Sequence, residues 1–283
     1  MTRRPSGEIV FPVLRQARGF SEEQRLLLRE GLRSAEAVAS VPDSVMRAHR
    51  LADRLVTMTA QEAAWLLEGL IRGALHRSAV CLKAYDALLE PQILLERIEA
   101  DTIDDWLDAA VDEGCPSAEV WLRSERPAVT DDAALELARE EQRVAAALRE
   151  LTLGARRALA RRASGDTIGM LLIDPDPGVV LNLLRNPRLN EAMVLRLVAH
   201  RPTPSGALEA VLQVERWRQR YRLRLALARN PYLRIGAGVK LLPTFLPKDL
   251  RELWLDENLA TALRVAAKQL LDVVSLEDRT EPR

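Results

Sequence analysis

Five arginines alternate with other residues in one short stretch, and their type and spacing make them the strongest candidates for binding chemistry. They are Arg216, Arg218, Arg220, Arg222 and Arg224. A guanidinium group can bind a carboxylate or a phosphate through two parallel hydrogen bonds. The stretch therefore predicts a site for an acidic partner or for the phosphates of a nucleic acid.

The conformation of this stretch decides which of the arginines act together. A strand would place all five on one face, whereas a helix from Val214 to Arg229 would divide them between two flanks of an apolar stripe. The helical surroundings favour the helix, with a stripe that we expect to be core, formed by Val214, Trp217, Tyr221, Leu225 and Ala228. The predicted binding residues are then Arg185, Arg188, Arg216, Arg220 and Arg224, and the patch could extend to Arg196 and Arg201.

A purely structural role for these arginines is the favoured alternative. The formal net charge of the chain is zero, but residues 151–250 hold 17 basic and 7 acidic side chains, whereas residues 1–150 have an excess of 8 acidic ones. The basic side chains could pair with the acidic half, or lie over apolar surface with their charged ends in water.

Other residue types that support catalysis or metal binding occur without the necessary spacing. His49, His76 and His200 are isolated, and Cys81 and Cys115 form no CxxC pair, so neither zinc nor a disulfide framework is indicated. The acidic residues around Trp106, from Asp101 to Glu113, indicate a solvated helix face. Phosphate-binding loops, dinucleotide glycine patterns and nucleophile elbows are not found in the sequence. We expect no cofactor and no metal, and a non-catalytic protein.

The elements that must position these residues are predicted to be helices. Aromatic residues make up only 4% of the chain, while Leu, Ala, Arg and Glu abound, and straight side chains of this kind favour helix over strand. Ser21 is a predicted N-cap, Asp43 precedes a second helix, and Thr59 with Glu62 has the form of a capping box. The next helix should carry Trp65 on its apolar face. The fold class is all-α.

Changes in composition along the chain predict four parts. Residues 1–126 form a helical N-terminal lobe, and residues 127–164 hold a long charged helix, continuing to Leu151, and then a short basic helix from Ala155. Residues 165–274 form a helical repeat domain, and residues 275–283 a polar tail. No stretch approaches the ~20 apolar residues of a membrane span, and no signal peptide is recognised, so a cytoplasmic protein is expected.

Regularly placed prolines mark the third part as a repeat. Asp174-Pro175, Asn186-Pro187, Arg201-Pro202 and Asn230-Pro231 separate short apolar helices. Asn186 and Asn230 are each followed by Pro-x-Leu and, at the same offset, by an apolar-basic-apolar-apolar cluster. The Asn or Asp side chain can accept a hydrogen bond from a following backbone amide, and proline ends the preceding helix.

This pattern resembles the short helical repeats of the leucine-rich repeat variant and HEAT-like families, over roughly Leu171 to Leu271. The resemblance implies an α-solenoid with a curved surface used for binding, and it implies no catalytic residue. We therefore predict an adaptor or scaffold that binds another protein. The alternatives are a nucleic-acid-binding repeat protein that uses the arginine-rich helix, and an enzyme with its site in a cleft between two lobes.

Overall fold

The computed structural model describes residues 20–90, 93, 97–125 and 144–278, with side chains as far as Ser275. Within these ranges every regular element is helical, which confirms the predicted all-α class. Most of the predicted long charged helix lies outside the described residues. The chain divides into unit 1, Met1–Arg123 with Gln269–Arg283, and unit 2, Ser124–Lys268.

In the described part of unit 1, the first three helices start directly after the predicted capping residues. Ser21 and Thr59 each form a complete capping box, with Gln24 and Glu62 respectively, and Asp43 accepts a hydrogen bond from the Met46 amide. A 3₁₀ turn, Asp86–Leu89, follows the fourth helix. The helices are α1 (Glu22–Ala39), α2 (Ser44–Val56), α3 (Ala60–Leu75), α4 (Ala79–Tyr85), α5 (Ala100–Asp112) and α6 (Pro116–Arg123).

The core of unit 1 is built around α3. Every residue from Ala63 to Leu75 is buried, because α1, α4, α5 and α6 all pack against this helix. The prediction of a single apolar face around Trp65 is therefore too narrow. The buried set includes two charged residues, Glu68 and Arg72, which form an ion pair one helical turn apart. The second carboxylate oxygen of Glu68 accepts a hydrogen bond of 2.8 Å from the backbone N–H of Ala118.

Unit 2 contains short helices joined by tight turns. A 3₁₀ turn, Ala146–Leu148, precedes them and another, Leu242–Thr244, interrupts them. The last helix begins in unit 2 and ends in unit 1. The helices are α7 (Leu153–Ala160), α8 (Asp166–Leu172), α9 (Pro177–Leu184), α10 (Glu191–Ala199), α11 (Ser205–Leu212), α12 (Glu215–Arg218), α13 (Tyr221–Ala228), α14 (Ile235–Leu241), α15 (Pro247–Leu255) and α16 (Thr261–Asp278).

Several helices of unit 2 pack against a helix two or three positions further along the chain, in addition to the next one. One series runs from α7 to α9 to α11, and another from α8 to α10 to α13. Single short helices of this kind cannot bury an apolar face alone, so each depends on its neighbours in the series. Val180, Leu197, Leu208 and Leu227 are among the fully or almost fully buried residues that result.

Two buried asparagines connect successive helices of these series. Asn186 follows α9, and its side-chain amide donates to the carbonyls of Ala160 and Ala163, both at 3.0 Å, at the end of α7. Asn230 follows α13 and donates in the same way to Val198, at 2.7 Å, at the end of α10. Each Asn Oδ1 atom also accepts from the backbone N–H two residues later, which confirms the predicted acceptor role.

The structure corrects the predicted helix from Val214 to Arg229. It consists of α12 and α13, separated at Gln219 and Arg220, and Arg220 has an extended conformation with φ −81° and ψ 112°. The predicted apolar stripe is only partly right: Trp217 and Ala228 are buried, but Leu225 is half-buried. The buried leucines of α13 are instead Leu223 and Leu227. Arg218 does not lie on a solvated flank either: it is fully buried, and its guanidinium donates to the Leu212 carbonyl at 2.9 Å.

Two smaller boundaries differ from prediction as well. The long charged helix does not continue as α-helix through residues 144–151, where the described chain forms a 3₁₀ turn. The short basic helix predicted from Ala155 is α7, which begins two residues earlier, at Leu153, directly after its N-cap Thr152. The sequence carries no strong signal for a helix boundary in residues 144–151 or before α7. The N-cap at Thr152 determines where α7 starts.

Candidate functional site

Hydrogen bonds hold the short helix α12 beside the turn between α9 and α10. The indole N–H of Trp217, which is 1% exposed, donates to the Leu184 carbonyl at 2.8 Å. The guanidinium of Arg216 donates to the Leu189 carbonyl at 2.8 Å and lies 4.2 Å from the centre of the Trp217 ring. A buried tryptophan needs a partner for its N–H group, and this bond holds α12 in place.

The same turn is joined to the turn that follows α7. Arg188 donates to the Arg162 carbonyl at 2.9 Å, alongside the two hydrogen bonds from Asn186. The hydrogen bonds therefore bring turns from three separate parts of unit 2 into one neighbourhood. We call the exposed arginines carried by these turns the arginine cluster, and they are Arg162, Arg185, Arg188, Arg216 and Arg220.

The side chains of the arginine cluster retain most of their capacity to bind an anion. Arg162, Arg185 and Arg220 make no side-chain hydrogen bond or ion pair with any residue of the described ranges. Arg188 and Arg216 each use one nitrogen on a backbone carbonyl, which fixes their position without neutralising their charge. The arrangement can bind carboxylate or phosphate groups from outside the chain.

The other arginines that the sequence predicted for the patch lie outside the arginine cluster. Arg224, on α13, is half-buried and already interacts with another part of the chain, so it is not part of the cluster. Arg201 donates to the Arg229 carbonyl at 2.7 Å, at the turn that follows α13. Arg196 is exposed on α10. Four of the five predicted residues therefore belong to the arginine cluster, which also includes Arg162, a residue not predicted from the sequence.

Carboxylates of unit 2 bind other arginines of the same unit. Arg156 pairs with buried Asp174 at 2.8 Å and Arg157 with Asp176 at 3.0 Å. Burial raises the pKa of Asp176, but the hydrogen bonds from Arg157 and from the Val179 amide outweigh this effect and hold it below its usual value. These two ion pairs lie within unit 2 and involve no residue of the arginine cluster.

The histidines, the cysteines and the acidic helix offer no second site. In the ranges that the structure describes, no three His, Cys, Asp or Glu side chains lie together so as to hold a metal ion. Asp101, Asp105 and Asp108 are exposed on α5 while Trp106 is buried, which confirms the predicted solvated face. Cys81 and Cys115 are buried and free. Among the described helices, none is long and apolar enough to cross a bilayer.

Comparisons of the chain with protein-family models, with curated proteins and with solved structures gave no match. The resemblance to leucine-rich repeat variants and HEAT-like repeats accordingly stays a prediction.

A groove in unit 1 was not foreseen from the sequence. Three of its lining residues are arginines, Arg33, Arg50 and Arg54, contributed by α1 and α2. The spacing of Arg50 and Arg54, one helical turn apart, places both on one face of α2 and was the only signal available. The pairing of α1 with α2 could not be read from that spacing.

Proposed function

We propose that the chain is a non-catalytic helical-repeat adaptor that binds another protein, and that the arginine cluster binds an acidic segment of that partner. Unit 2 would be a HEAT-like α-solenoid whose turns carry the binding residues. The proposal depends chiefly on one observation. Hydrogen bonds join three chain segments that together carry five exposed arginines, and three of these guanidinium groups have no partner in the described chain.

Helix packing within unit 2 supports a solenoid. In a solenoid each helix contacts the equivalent helix of the next repeat, and the series α7, α9, α11 and α8, α10, α13 have this order. Asn186 and Asn230 play equivalent parts, since each ends one helix and donates to the end of the helix on which it packs. The equivalence agrees with the repeat expected from the Asn-Pro steps.

A fixed arrangement of the arginines favours binding. Ordering a long side chain on binding costs about 0.5–1.5 kcal/mol, and the bonds of Arg188 and Arg216 to backbone carbonyls remove part of that cost beforehand. Stacking of Arg216 on Trp217 restricts its guanidinium further. A carboxylate that approaches the cluster meets donors that are already in place.

An acidic protein segment suits the cluster better than a nucleic acid. The affinity of a protein for duplex DNA grows with the number of phosphates that its cations neutralise, and the cluster holds only three unpartnered guanidinium groups in the described chain. Nucleic-acid binding nevertheless remains the alternative, because both ligands present anionic oxygens. The two classes of ligand can be separated by direct measurement.

Fluorescence anisotropy with three labelled probes tests the proposal. We expect a polyglutamate peptide to bind the full chain, and to bind it more tightly than duplex DNA or single-stranded RNA at the same salt concentration. The triple variant Arg162→Glu, Arg185→Glu, Arg220→Glu should lose this binding. Arg251→Glu, an exposed arginine on α15, is the matched control and should bind as the unaltered chain does.

Three results would contradict the proposal. Absence of peptide binding, or equal binding to the triple variant and to the unaltered chain, would show that the cluster is not the binding site. Tighter binding of DNA or RNA than of the peptide, lost steeply as salt rises, would establish the nucleic-acid alternative instead.

A further inference from the structure

Unit 1 contains a groove of about 500 Å³ between α1 and α2, which reaches the beginning of α3. This volume lies within the range of sites that hold small organic ligands, about 300–1,000 Å³. The groove uses none of the residues of the arginine cluster, and it is therefore a separate candidate site.

Small residues on α1 leave this groove open. Gly31, Ser34 and Ala37 all line it, and none has a side chain large enough to fill the space beside α2. Gly31 is required by the packing of α1 on α3, because a Cβ atom there would lie 3.0 Å from both the Leu66 Cα and the Trp65 carbonyl oxygen. Leu27, Val38 and Met58 supply an apolar lining.

Three exposed arginines line the groove. Arg33, Arg50 and Arg54 make no hydrogen bond or ion pair with another residue of the described ranges, and only the charge of Arg54 acts on a carboxylate of the groove, that of Glu62. Two buried arginines of unit 1, by contrast, form ion pairs, Arg47 with Asp86 and Arg72 with Glu68. The three guanidinium groups beside one cavity are available to an anion from outside.

Two carboxylates at the groove limit the charge that a ligand can carry. Glu62 is held by its capping box: hydrogen bonds from the backbone N–H and the hydroxyl of Thr59, aided by the charge of Arg54, keep its pKa below the usual value. Glu30 also lines the groove and is exposed. These two carboxylates repel a polyanion, so a ligand with a single anionic group on an apolar body fits best.

We propose that this groove binds a small organic anion that carries one phosphate or carboxylate group on an apolar body. Arg33, Arg50 and Arg54 bind the anionic oxygens, and Leu27, Val38 and Met58 contact the apolar part. Since the site lies entirely within unit 1, it does not depend on the adaptor function proposed for unit 2.

Fluorescence of anilinonaphthalene sulfonate, an organic anion with an aromatic body, tests this site on the full chain. We expect saturable binding at one site, weakened about tenfold or more by the double variant Arg33→Gln, Arg50→Gln, because a charge-assisted hydrogen bond contributes about 1.5–3 kcal/mol. Arg29→Gln is the matched control, since Arg29 is an exposed arginine of α1 outside the groove lining, and it should leave the affinity unchanged.

A second variant tests the cavity without altering charge. Ala37 is exposed at the groove, so Ala37→Trp should fill the cavity and abolish dye binding while thermal unfolding remains cooperative. Octyl phosphate and octanoate should displace the dye, whereas inorganic phosphate at the same concentration should not.

Several outcomes would overturn the proposal. Absence of saturable binding, or equal weakening by Arg29→Gln and by the double variant, would show that the groove arginines form no site. If inorganic phosphate displaced the dye as effectively as octyl phosphate, the apolar residues of the groove would contribute nothing to binding. Stronger displacement by polyglutamate would identify an acidic protein segment as the ligand instead.

Discussion

The side-chain amide of Asn186 donates to the carbonyl oxygen of Ala160 at 3.0 Å, and this bond joins the end of α9 to the end of α7. Asn186 is fully buried, so neither its donors nor the carbonyls it binds can turn to water instead. Its Oδ1 atom accepts from the Arg188 amide at 2.9 Å, which also fixes the backbone of the turn that carries Arg185 and Arg188. One side chain therefore connects helix stacking to the arginine cluster.

Replacing Asn186 by Asp should destabilise unit 2. The variant keeps the shape and the Oδ1 acceptor but replaces the two donated N–H groups with an oxygen that faces the Ala160 and Ala163 carbonyls. We expect a loss of about 1–3 kcal/mol or more in the free energy of unfolding, measured by urea denaturation. Asn190→Asp is the matched control: Asn190 is an exposed N-cap that only accepts, from the Met193 amide, and an Asp does so equally well. Equal stability of the two variants would contradict this role of Asn186.

Neutralising Glu68 should destabilise unit 1 far more than neutralising a surface glutamate. The Glu68 side chain is fully buried between Arg72 and the Ala118 amide, and Glu68→Gln would leave the guanidinium without its counter-charge. A loss of about 3–5 kcal/mol is expected in thermal or urea unfolding. Glu119→Gln breaks an exposed pair of the same spacing, with Arg123, and should cost less than about 0.5 kcal/mol. Similar losses in the free energy of unfolding for the two variants would contradict a larger contribution from the buried ion pair than from the exposed one.

The same glycine-to-alanine change should have opposite effects at two helical positions. At Gly73, on α3, an added Cβ would lie 2.2 Å from the Cys81 Sγ atom and 2.6 Å from its Cβ, so we expect a loss of about 1–3 kcal/mol. At Gly154, on α7, a Cβ meets no atom within 4 Å, so alanine should raise stability by about 0.5–1 kcal/mol. Urea denaturation of both variants measures the signs, and a stabilising Gly73→Ala would contradict the close packing of α3 against α4.

The two thiols should be unreactive in the folded chain. Burial raises the pKa of Cys81 to about 11 and that of Cys115 well above its usual value, and neither thiolate forms readily at pH 8. A disulfide reagent such as Ellman's should label both cysteines in urea and neither in buffer. Rapid labelling of the native chain would contradict their burial.

The raised pKa values of the two thiols also determine how the free energy of unfolding changes with pH. In the unfolded chain a thiol ionises near pH 8.5, so protonated Cys81 contributes stability that is fully present below this pH. This contribution is lost as pH rises through about 11, and the free energy of unfolding should fall over that interval. The double variant Cys81→Ser, Cys115→Ser should show a smaller fall between pH 8 and pH 11 in urea titrations.

Local signals in the sequence predict much of the fold. Ser21, Asp43 and Thr59 begin helices because the capping interaction involves residues only three positions away. The break at Gln219 and Arg220 has no such signal, since neither residue is a glycine or a proline. It depends on contacts distant in sequence, namely the bond from Trp217 to Leu184 and that from the Tyr221 hydroxyl to Asp249.

The candidate site was predictable in composition but not in arrangement. Arg185, Arg188, Arg216 and Arg220 stood out by residue type, whereas Arg162 joins them only through the bond that Arg188 makes across 26 residues. The complete burial of α3 and the groove beside Arg33 and Arg50 depend equally on which helices meet. The periodicity of apolar residues predicts each helix separately. Which helices pack against one another can be seen only in the folded chain.

Affinity capture with the full chain, followed by quantitative mass spectrometry and repeated after nuclease treatment, tests the central claim most directly. The adaptor proposal predicts proteins with acidic segments that bind the unaltered chain and the Arg251→Glu control, survive nuclease, and are lost with the triple variant Arg162→Glu, Arg185→Glu, Arg220→Glu. An identical set of proteins on the triple variant, or a set that nuclease removes, would contradict it.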